Sequence, residues 1–270
     1  MIQNAIYPVE CEHLKPYIKH YFVLDFSNLP TEEMEVKVPP TGFPVLQFHF
    51  GENSNFYRHK HYTDQSLFIG QCSKHITLQI SKGLKLVGVN FKPYGLHNLL
   101  GISPSQILNS GIESHLFFGE DEVENIIQIL KTKGIEEGIS EIEKLLLSFQ
   151  QSKVKIRPYF DEIVDKIENQ NGLIDYLSLL GKNMQRRSFQ RYFKEVIGIS
   201  PKLFCQVLRH KYIMDLLYKN PKMTWSDIHL NGFYYDYTHF SKDFVLFSGV
   251  KPKQYLSLKN SFALAILFNE

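Results

Sequence analysis

An internal repeat in the C-terminal half most constrains the fold of this 270-residue chain. Residues 198–204 (GISPKLF) are echoed 51 positions later by residues 249–255 (GVKPKQY). Each copy follows a stretch whose apolar residues recur at helical spacing, which indicates two copies of one helical device. A longer helix over about residues 203–218 is predicted to join the two copies.

The helix before the first copy, over residues 183–198, is predicted to be amphipathic. Its buried stripe comprises Phe189, Tyr192, Phe193, Val196 and Ile197. Its opposite face, at about 100° per residue, carries Arg187, Gln190, Arg191 and Lys194. Asn183 is predicted to cap the first turn, and Gly198 to end the helix in a left-handed conformation. Arginine and glutamine match guanine and adenine edges and lysine anchors phosphate, so this face favours a DNA major groove. A solvated charged face is the alternative.

The surrounding residues favour DNA binding over that alternative. A short apolar helix over residues 173–180 and a turn at 181–183 precede the basic helix, which together predict a helix-turn-helix unit. A second unit follows, with helices over residues 225–230 and 236–249 around a turn at Gly232. In its second helix Phe240, Phe244 and Phe247 are predicted to be buried, with Thr238, Ser241 and Lys242 facing outward.

These motifs resemble those of the AraC/XylS family of bacterial transcription regulators, whose DNA-binding domain holds two helix-turn-helix units. The residues that carry the resemblance are Arg187, Phe189, Arg191, Phe193 and Lys194 in the first unit, and Tyr235, Asp236, His239, Phe240, Asp243 and Phe244 in the second. The resemblance covers about residues 156–257. Two positions depart from the family: Gln185 replaces the usual helix-opening serine, and Phe233 stands where a glycine is expected at the second turn.

The resemblance implies contacts with two successive major grooves of double-stranded DNA. In the first groove, Arg187, Gln190 and Arg191 are expected to contact bases, and Lys182, Arg186 and Lys194 phosphates. In the second groove, Thr238 and Lys242, with Tyr237, are the predicted contacts. Because Asp236 and Asp243 offset Lys242, the second helix is predicted to contribute less to affinity.

Charge divides the chain into two unlike halves. Residues 1–150 hold 12 basic and 17 acidic side chains, a balance of −5, whereas residues 151–270 hold 18 and 11, a balance of +7. A basic half joined to an acidic half favours nucleic acid as the partner of the C-terminal part. The three scattered cysteines and the lack of a signal-peptide pattern or a membrane-length apolar run predict a cytoplasmic protein without a membrane partner.

The N-terminal half is predicted to begin as a cupin-like β-barrel. Strand patterns punctuated by turn residues occur at 36–38, 45–50, 66–70, 76–80 and 84–91. Helices are predicted over 123–133 and 135–149, and residues 150–153 as the linker. Segments such as Phe68-Ile69-Gly70 and Leu99-Leu100-Gly101 are also similar to the sensor-type N-terminal domain of some AraC/XylS members. That similarity implies effector binding, dimerisation or both.

A small apolar or weakly polar effector is predicted inside the barrel, with Gln47 and His49 as polar anchors. Aromatic side chains were expected either to line this pocket or, more commonly, to form core: Phe43, Phe48, Phe50, Phe56, Tyr57, Tyr62 and Phe68. His59 and His61 are spaced like a metal-binding pair, but a surface pair is favoured, and no metal or other cofactor is predicted. The sequence also shows no catalytic residue pattern.

The predicted fold is therefore an α+β two-domain protein. It comprises a cupin-like sensor or dimerisation domain (1–150) with flanking helices, an all-α double helix-turn-helix domain (156–257) and an apolar tail (258–270). The predicted function is a non-enzymatic, sequence-specific transcription regulator under effector control. Candidate partners besides DNA are the effector, RNA polymerase and a second copy of the chain. The alternative is a cupin-like small-molecule-binding protein or enzyme whose helical half is an interaction module.

Overall fold

The computed structural model describes residues 3–51, 56–57, 65–152, 154–181, 184–220, 223–230, 234 and 236–257. The strands of its N-terminal half are β1 (Gln3–Tyr7), β2 (Ile18–Asp25), β3 (Glu33–Val38), β4 (Val45–Gly51), β5 (Phe56–Tyr57), β6 (Ser66–Ile69), β7 (Ile76–Ser81), β8 (Leu84–Phe91) and β9 (Gly111–Glu113). The helices of this half are α1 (Gly95–Leu100), α2 (His115–Phe118), α3 (Glu120–Thr132) and α4 (Ile135–Ser148). A short 3-10 helix, Pro104–Ile107, follows α1. The five predicted strands and both predicted helices are present.

The strands form two antiparallel sheets. The larger sheet has the order β1-β2-β8-β4-β6-β9, and the smaller has the order β3-β7-β5. Among the described residues no strand pairing joins the two sheets, so the predicted closed, cupin-like barrel is not confirmed. Strands β1 and β2 are not among the predicted strands, because the apolar residues of β2 do not alternate with polar ones, and β1 is defined mainly by its pairing with β2.

The six-stranded sheet separates two layers of core. One face packs against helices α1 to α4, and Leu46, Phe48 and Phe50 of β4 point into this core. The other face meets the three-stranded sheet, with Leu24 and Leu78 between the two sheets. Because side chains alternate along a strand, β4 contributes Val45 and Gln47 to this second side.

The C-terminal half is helical throughout its described part. Its helices are α5 (Pro158–Asn169), α6 (Arg186–Ile197), α7 (Pro201–Lys219), α8 (Trp225–Leu230), α9 (Tyr237–Ser248) and α10 (Pro252–Ser257). The joining helix and both recognition helices are confirmed. The helix predicted over residues 173–180 is wrong: only a 3-10 helix forms there, Tyr176–Leu179, started by the Asp175 carboxylate accepting from the Leu177 amide at 3.0 Å.

The core of the first helix-turn-helix unit extends into the N-terminal half. Phe160, Phe193 and Phe204 form its centre, and Phe43 and Tyr94 belong to the same cluster. Polar contacts also join the N-terminal half to α5. The Tyr94 hydroxyl donates to Asp165 at 3.0 Å, and the Lys19 ammonium lies 3.0 Å from Glu168. The predicted division near residue 150 is therefore crossed by continuous packing.

The second unit has a separate core made of C-terminal residues. Its cluster includes Ile213, Met214, Ile228, Phe240 and Phe244. Near the end of α9, Phe247 instead joins the cluster of the first unit. None of the helices in the described part of the chain is long and apolar enough to cross a membrane. The predicted apolar tail, 258–270, lies outside the described residues.

Candidate nucleic-acid interface and ligand cavity

The first recognition helix, α6, begins later than predicted. Its N-cap position is Gln185, whose side chain makes no capping hydrogen bond, so the prediction that Asn183 occupies this position is wrong. Asn183 itself lies outside the described residues, as does Lys182. The C-terminal end is as predicted: Gly198 is left-handed, with φ 96°, and its amide donates to the Lys194 carbonyl.

The two faces of α6 differ as the sequence predicts. Phe189, Phe193, Val196 and Ile197 are buried on the inner face. The exposed cations of the helix are Arg186, Arg187, Arg191 and Lys194. Glu195 is the acidic residue of this helix and is exposed near its C-terminal end. The outer surface is thus strongly cationic along about three turns.

Gln190 sits differently from the arginines. Its side chain is only partly exposed, and its Nε2 donates to the Tyr176 hydroxyl at 3.0 Å. The amide therefore links α6 to the preceding 3-10 helix. Arg157 adds a cation that the sequence analysis missed, because its guanidinium stacks 4.0 Å from the centre of the Tyr192 ring on α6. No periodic pattern connects positions 157 and 192, so only packing reveals this pair.

The second recognition helix, α9, starts at a capping aspartate. The Asp236 carboxylate accepts from the His239 amide at 2.7 Å. Tyr237, Thr238 and Lys242 are exposed along the helix. The turn before it, including Gly232 and Phe233, lies outside the described residues.

One charge on α9 departs from the prediction. Asp243 is 7% exposed, and its carboxylate accepts from Gln206 Nε2 of α7 at 3.2 Å. It therefore does not share the outer face with Lys242. The outward surface of α9 is consequently more positive than the sequence count suggested, although still less cationic than that of α6.

A buried histidine ties α7 to the end of α9. His210 is 2% exposed, and its Nε2 lies 3.0 Å from the Ser248 hydroxyl. Burial lowers the pKa of His210 to about 3, so the ring is neutral near pH 7. The ring also packs against Phe244 and Phe247. α7 thus holds α9 from within the domain.

A cavity of about 130 Å³ lies between the two sheets of the N-terminal half. Most of its wall is apolar and comes from both sheets: Phe22, Leu24, Phe26, Val38, Phe43, Val45, Ile69, Ile76, Leu78, Ile80 and Leu86. Its polar groups are Lys19, His20, Thr41, Gln47, Asn90 and Lys211. Lys211 belongs to α7, so the cavity reaches the DNA-binding half of the chain.

The predicted anchors separate in the structure. Gln47 lines the cavity, whereas His49 is fully buried outside the lining, with its Nε2 3.4 Å from Gln47 Oε1. Of the predicted pocket aromatics, Phe43 lines the cavity, and Phe48, Phe50 and Phe68 belong to the opposite core. His59, His61 and Tyr62 lie outside the described residues. Lys19 and Lys211 were missed because they come together only in the tertiary fold.

Two family models match separate parts of the chain. Residues 182–257 match the family model described as "Helix-turn-helix domain", and residues 10–113 match a domain of unknown function (DUF6597). The first match confirms the predicted helix-turn-helix domain over residues 182–257 and agrees with the resemblance to AraC/XylS regulators there. Among curated proteins, none matches this chain.

Among solved structures, the chain shows similarity to ToxT from Vibrio cholerae. ToxT of strain O395 is 8% identical, with a TM-score of 0.43 over 96% of this chain and 98% of that one. Wild-type ToxT of strain SCE256 with a bound unsaturated fatty acid is 11% identical, with a TM-score of 0.41 over 87% of this chain and 94% of that one.

Proposed function

We propose that this chain is a sequence-specific DNA-binding regulator of transcription, controlled by a small effector bound in its N-terminal half. The observation that carries the proposal is the exposed cationic face of α6 in a helix-turn-helix domain. Such a face satisfies both requirements of operator binding, since cations neutralise phosphates and arginine forks distinguish bases. No catalytic activity is part of the proposal.

The proposed contacts follow the exposure of the side chains. Arg187 and Arg191 contact bases in the first groove, while Arg186 and Lys194 neutralise phosphates beside it. Lys182, which precedes α6, is assigned to phosphate as well. Gln190 can contact a base only if its side-chain amide breaks the hydrogen bond to Tyr176. We therefore assign it mainly the role of orienting α6. In the second groove the contacts are Tyr237, Thr238 and Lys242.

Selection from random DNA with the full chain tests the proposal directly. We expect one enriched motif that extends over two successive major grooves, about one helical turn apart. Affinity for it should fall with salt at a slope of about −0.9 per neutralised phosphate. Lys131→Ala is the matched control, because Lys131 is exposed on α3 in the other half. A flat salt dependence, or no enriched motif, would contradict DNA binding and favour the interaction-module alternative.

The effector site in this proposal is the cavity between the two sheets, within a cupin-like sensor domain over residues 1–150. Its apolar wall suits an apolar body, and the polar side chains Gln47, Asn90, Lys19 and Lys211 in its lining suit a polar or anionic group. Lys19 already contacts Glu168 and the Phe43 ring, so an anionic group would share this lysine with the carboxylate.

Thermal shift measures effector binding in the full chain. A ligand held only by the folded protein raises its stability by about 2.7 kcal/mol at a hundredfold excess over Kd. Straight-chain carboxylates should shift the unfolding midpoint more than alcohols of equal length if the lysines contribute. Leu24→Trp fills the cavity and should abolish the shift, and Lys131→Ala should leave it intact. Equal shifts in the cavity-filling variant would place the ligand elsewhere.

A further inference from the structure

The C-terminal ends of both recognition helices touch the N-terminal half. At the end of α6, the Ser103 hydroxyl donates to the Glu195 carbonyl at 2.6 Å. At the end of α9, the Leu246 carbonyl accepts from the His75 amide at 3.1 Å and lies 3.0 Å from His75 Nδ1. The Lys37 ammonium donates to the Gly249 carbonyl at 3.0 Å. The N-terminal half therefore supplies hydrogen-bond donors to the last turns of both helices.

These contacts have a clear physical basis. The last four carbonyls of a helix lack intrahelical partners and carry partial negative charge, so donors and cations stabilise this end. The close fit at α9 depends on Gly249, which has φ 71°. A Cβ atom there would lie 2.7 Å from His75 Nε2 and 2.8 Å from the Lys37 Cδ. Lys37 and His75 therefore contact the end of α9 directly.

The same two residues adjoin the cavity wall. Lys37 precedes Val38 at the end of β3, and His75 precedes Ile76 at the start of β7. Val38 and Ile76 are paired across the two strands, and both line the cavity. A shift of this strand pair by a ligand would act on the side chains that hold α9.

We propose that Lys37 and His75 are positioning residues for the second recognition helix, α9. Through these two side chains, a shift of the β3–β7 strand pair on ligand binding in the cavity changes the position of α9. The proposal rests on the proposed function and assigns its regulation to a particular contact. α6 contributes Phe189, Phe193 and Val196 to the apolar core that includes Phe43 and Tyr94 of the N-terminal half, whereas α9 contributes Phe247 alone and meets that half mainly through these hydrogen bonds. In this proposal the second groove contact is therefore the more adjustable of the two.

The first test needs no DNA. Amide hydrogen exchange is compared between the full chain and its Lys37→Met/His75→Ala variant, which keeps the main-chain bond of residue 75. The variant removes two side-chain hydrogen bonds, so we expect exchange in the last turn of α9 to rise by at least about 2- to 12-fold, the usual range for a single lost hydrogen bond, with α6 unchanged. Lys82→Met is the control, since Lys82 follows β7 at the opposite end of the same strand pair, where its amide donates to the Glu32 carbonyl at 2.8 Å. Unchanged exchange in α9, or an equal rise in α6, would overturn the proposal.

The second test uses the DNA motif selected by the full wild-type chain. Each mismatch should cost the wild type about 5- to 150-fold in affinity. In the Lys37→Met/His75→Ala variant, mismatches in the second half of the motif and an inserted base pair between the halves should cost less, with first-half penalties unchanged. Equal losses in both halves would instead indicate general destabilisation and contradict a positioning role. Absence of any selected motif would refute the proposed function, while the exchange test would still decide the contact.

A cavity-filling substitution tests the link to the ligand site. Leu78→Phe adds volume from β7 and should alter second-half penalties in the wild-type background. In the Lys37→Met/His75→Ala background the same substitution should have no further effect, because the connection is already broken. An equal effect in both backgrounds, or none in either, would refute transmission through these residues.

Discussion

The two helix-turn-helix units share one architecture but differ in charge and in packing. The first carries four exposed cations on α6, and its core continues into the N-terminal half through Phe43 and Tyr94. The second presents Lys242 beside neutral side chains, and its core is made of C-terminal residues. Under the proposed function, this difference makes the first unit the one that anchors the protein on DNA, while the second adds contacts whose position can be adjusted.

The largest predicted effect tests whether the cores of the two units are independent, by removing one aromatic side chain from each core. Phe193→Ala and Phe244→Ala each delete a fully buried ring, which should cost about 3–5 kcal/mol of unfolding free energy. Because Phe193 belongs to the continuous core, its loss should lower the unfolding midpoint of the whole chain. Loss of Phe244 should instead produce an earlier transition confined to the second unit.

Calorimetry with hydrogen exchange distinguishes these outcomes. Leu116→Ala, which changes a side chain that is 67% exposed on α2, serves as the control and should have little effect. Identical single transitions for both phenylalanine variants would show that the two units unfold together, and the proposed independence of the second core would be wrong.

DNA affinity tests the predicted difference between the outer faces of α6 and α9. Arg191→Ala should cost about 1–3 kcal/mol on the selected motif and relax preference at one base position. Lys242→Ala should cost less, because α9 has fewer cations around it. Arg191→Lys keeps the charge without the planar fork and should restore affinity without restoring the preference. Equal losses on specific and random DNA would show that Arg191 binds phosphate only.

Salt dependence separates phosphate contacts from base contacts. Lys194→Ala should weaken all sequences alike and make the salt slope shallower by about 0.9, as expected for one phosphate contact. Thr238→Ala on α9 removes no charge and should leave the slope unchanged. Titrations of each variant from low to physiological salt provide the measurement. An unchanged slope for Lys194→Ala would remove this lysine from the interface.

The smallest predicted effect concerns pH and the boundary of the first unit. Burial raises the pKa of Asp161 on α5 to about 7, and its Oδ2 accepts from Asn98 Nδ2 of α1 at 3.0 Å. An acid whose pKa is raised in the folded state stabilises the fold fully at low pH. That contribution is lost as pH rises from about 4, the unfolded value, through about 7.

Asp161→Asn should therefore raise the unfolding midpoint at pH 8 relative to the wild type and change it little near pH 4. Glu124→Gln, at an exposed position of α3, is the matched control and should give parallel pH profiles. A gain of the same size at both pH values would show that ionisation of Asp161 is not the cause.

Local periodicity predicted the helical half well. The stripe Phe189, Phe193, Val196 and the glycine that ends α6 follow from chain-local geometry, because spacing alone decides which side chains share a helix face. The prediction that Asp243 offsets the charge of Lys242 rested on the sequence count alone, and it does not hold on the outer face of α9. The Asp243 carboxylate turns inward to Gln206, a partner 37 residues away that no local pattern contains.

The N-terminal half was predicted less completely. Five strands were evident from alternation and turn residues, but the grouping into two sheets depends on pairings such as β2 with β8, far apart in sequence. Gln47 lines the cavity, whereas His49 is fully buried and is not part of the lining, and the role of either residue as a ligand anchor stays a prediction. The alternation of side chains along β4 predicts that both residues lie on the same side of the strand. It does not predict how far the neighbouring sheet, and with it the cavity, extends along that side.

The amino-acid sequence by itself determined the two helix-turn-helix units, the cationic face of α6 and the contrast in charge between the two halves. These properties depend on residue type and short-range spacing. Only the tertiary structure decided that Phe43 and Tyr94 complete the first core, that Lys211 reaches the cavity, and that Lys37 and His75 hold the end of α9. Each of these joins residues more than 60 positions apart, where burial and unpaired helix carbonyls, rather than local propensity, select the partner.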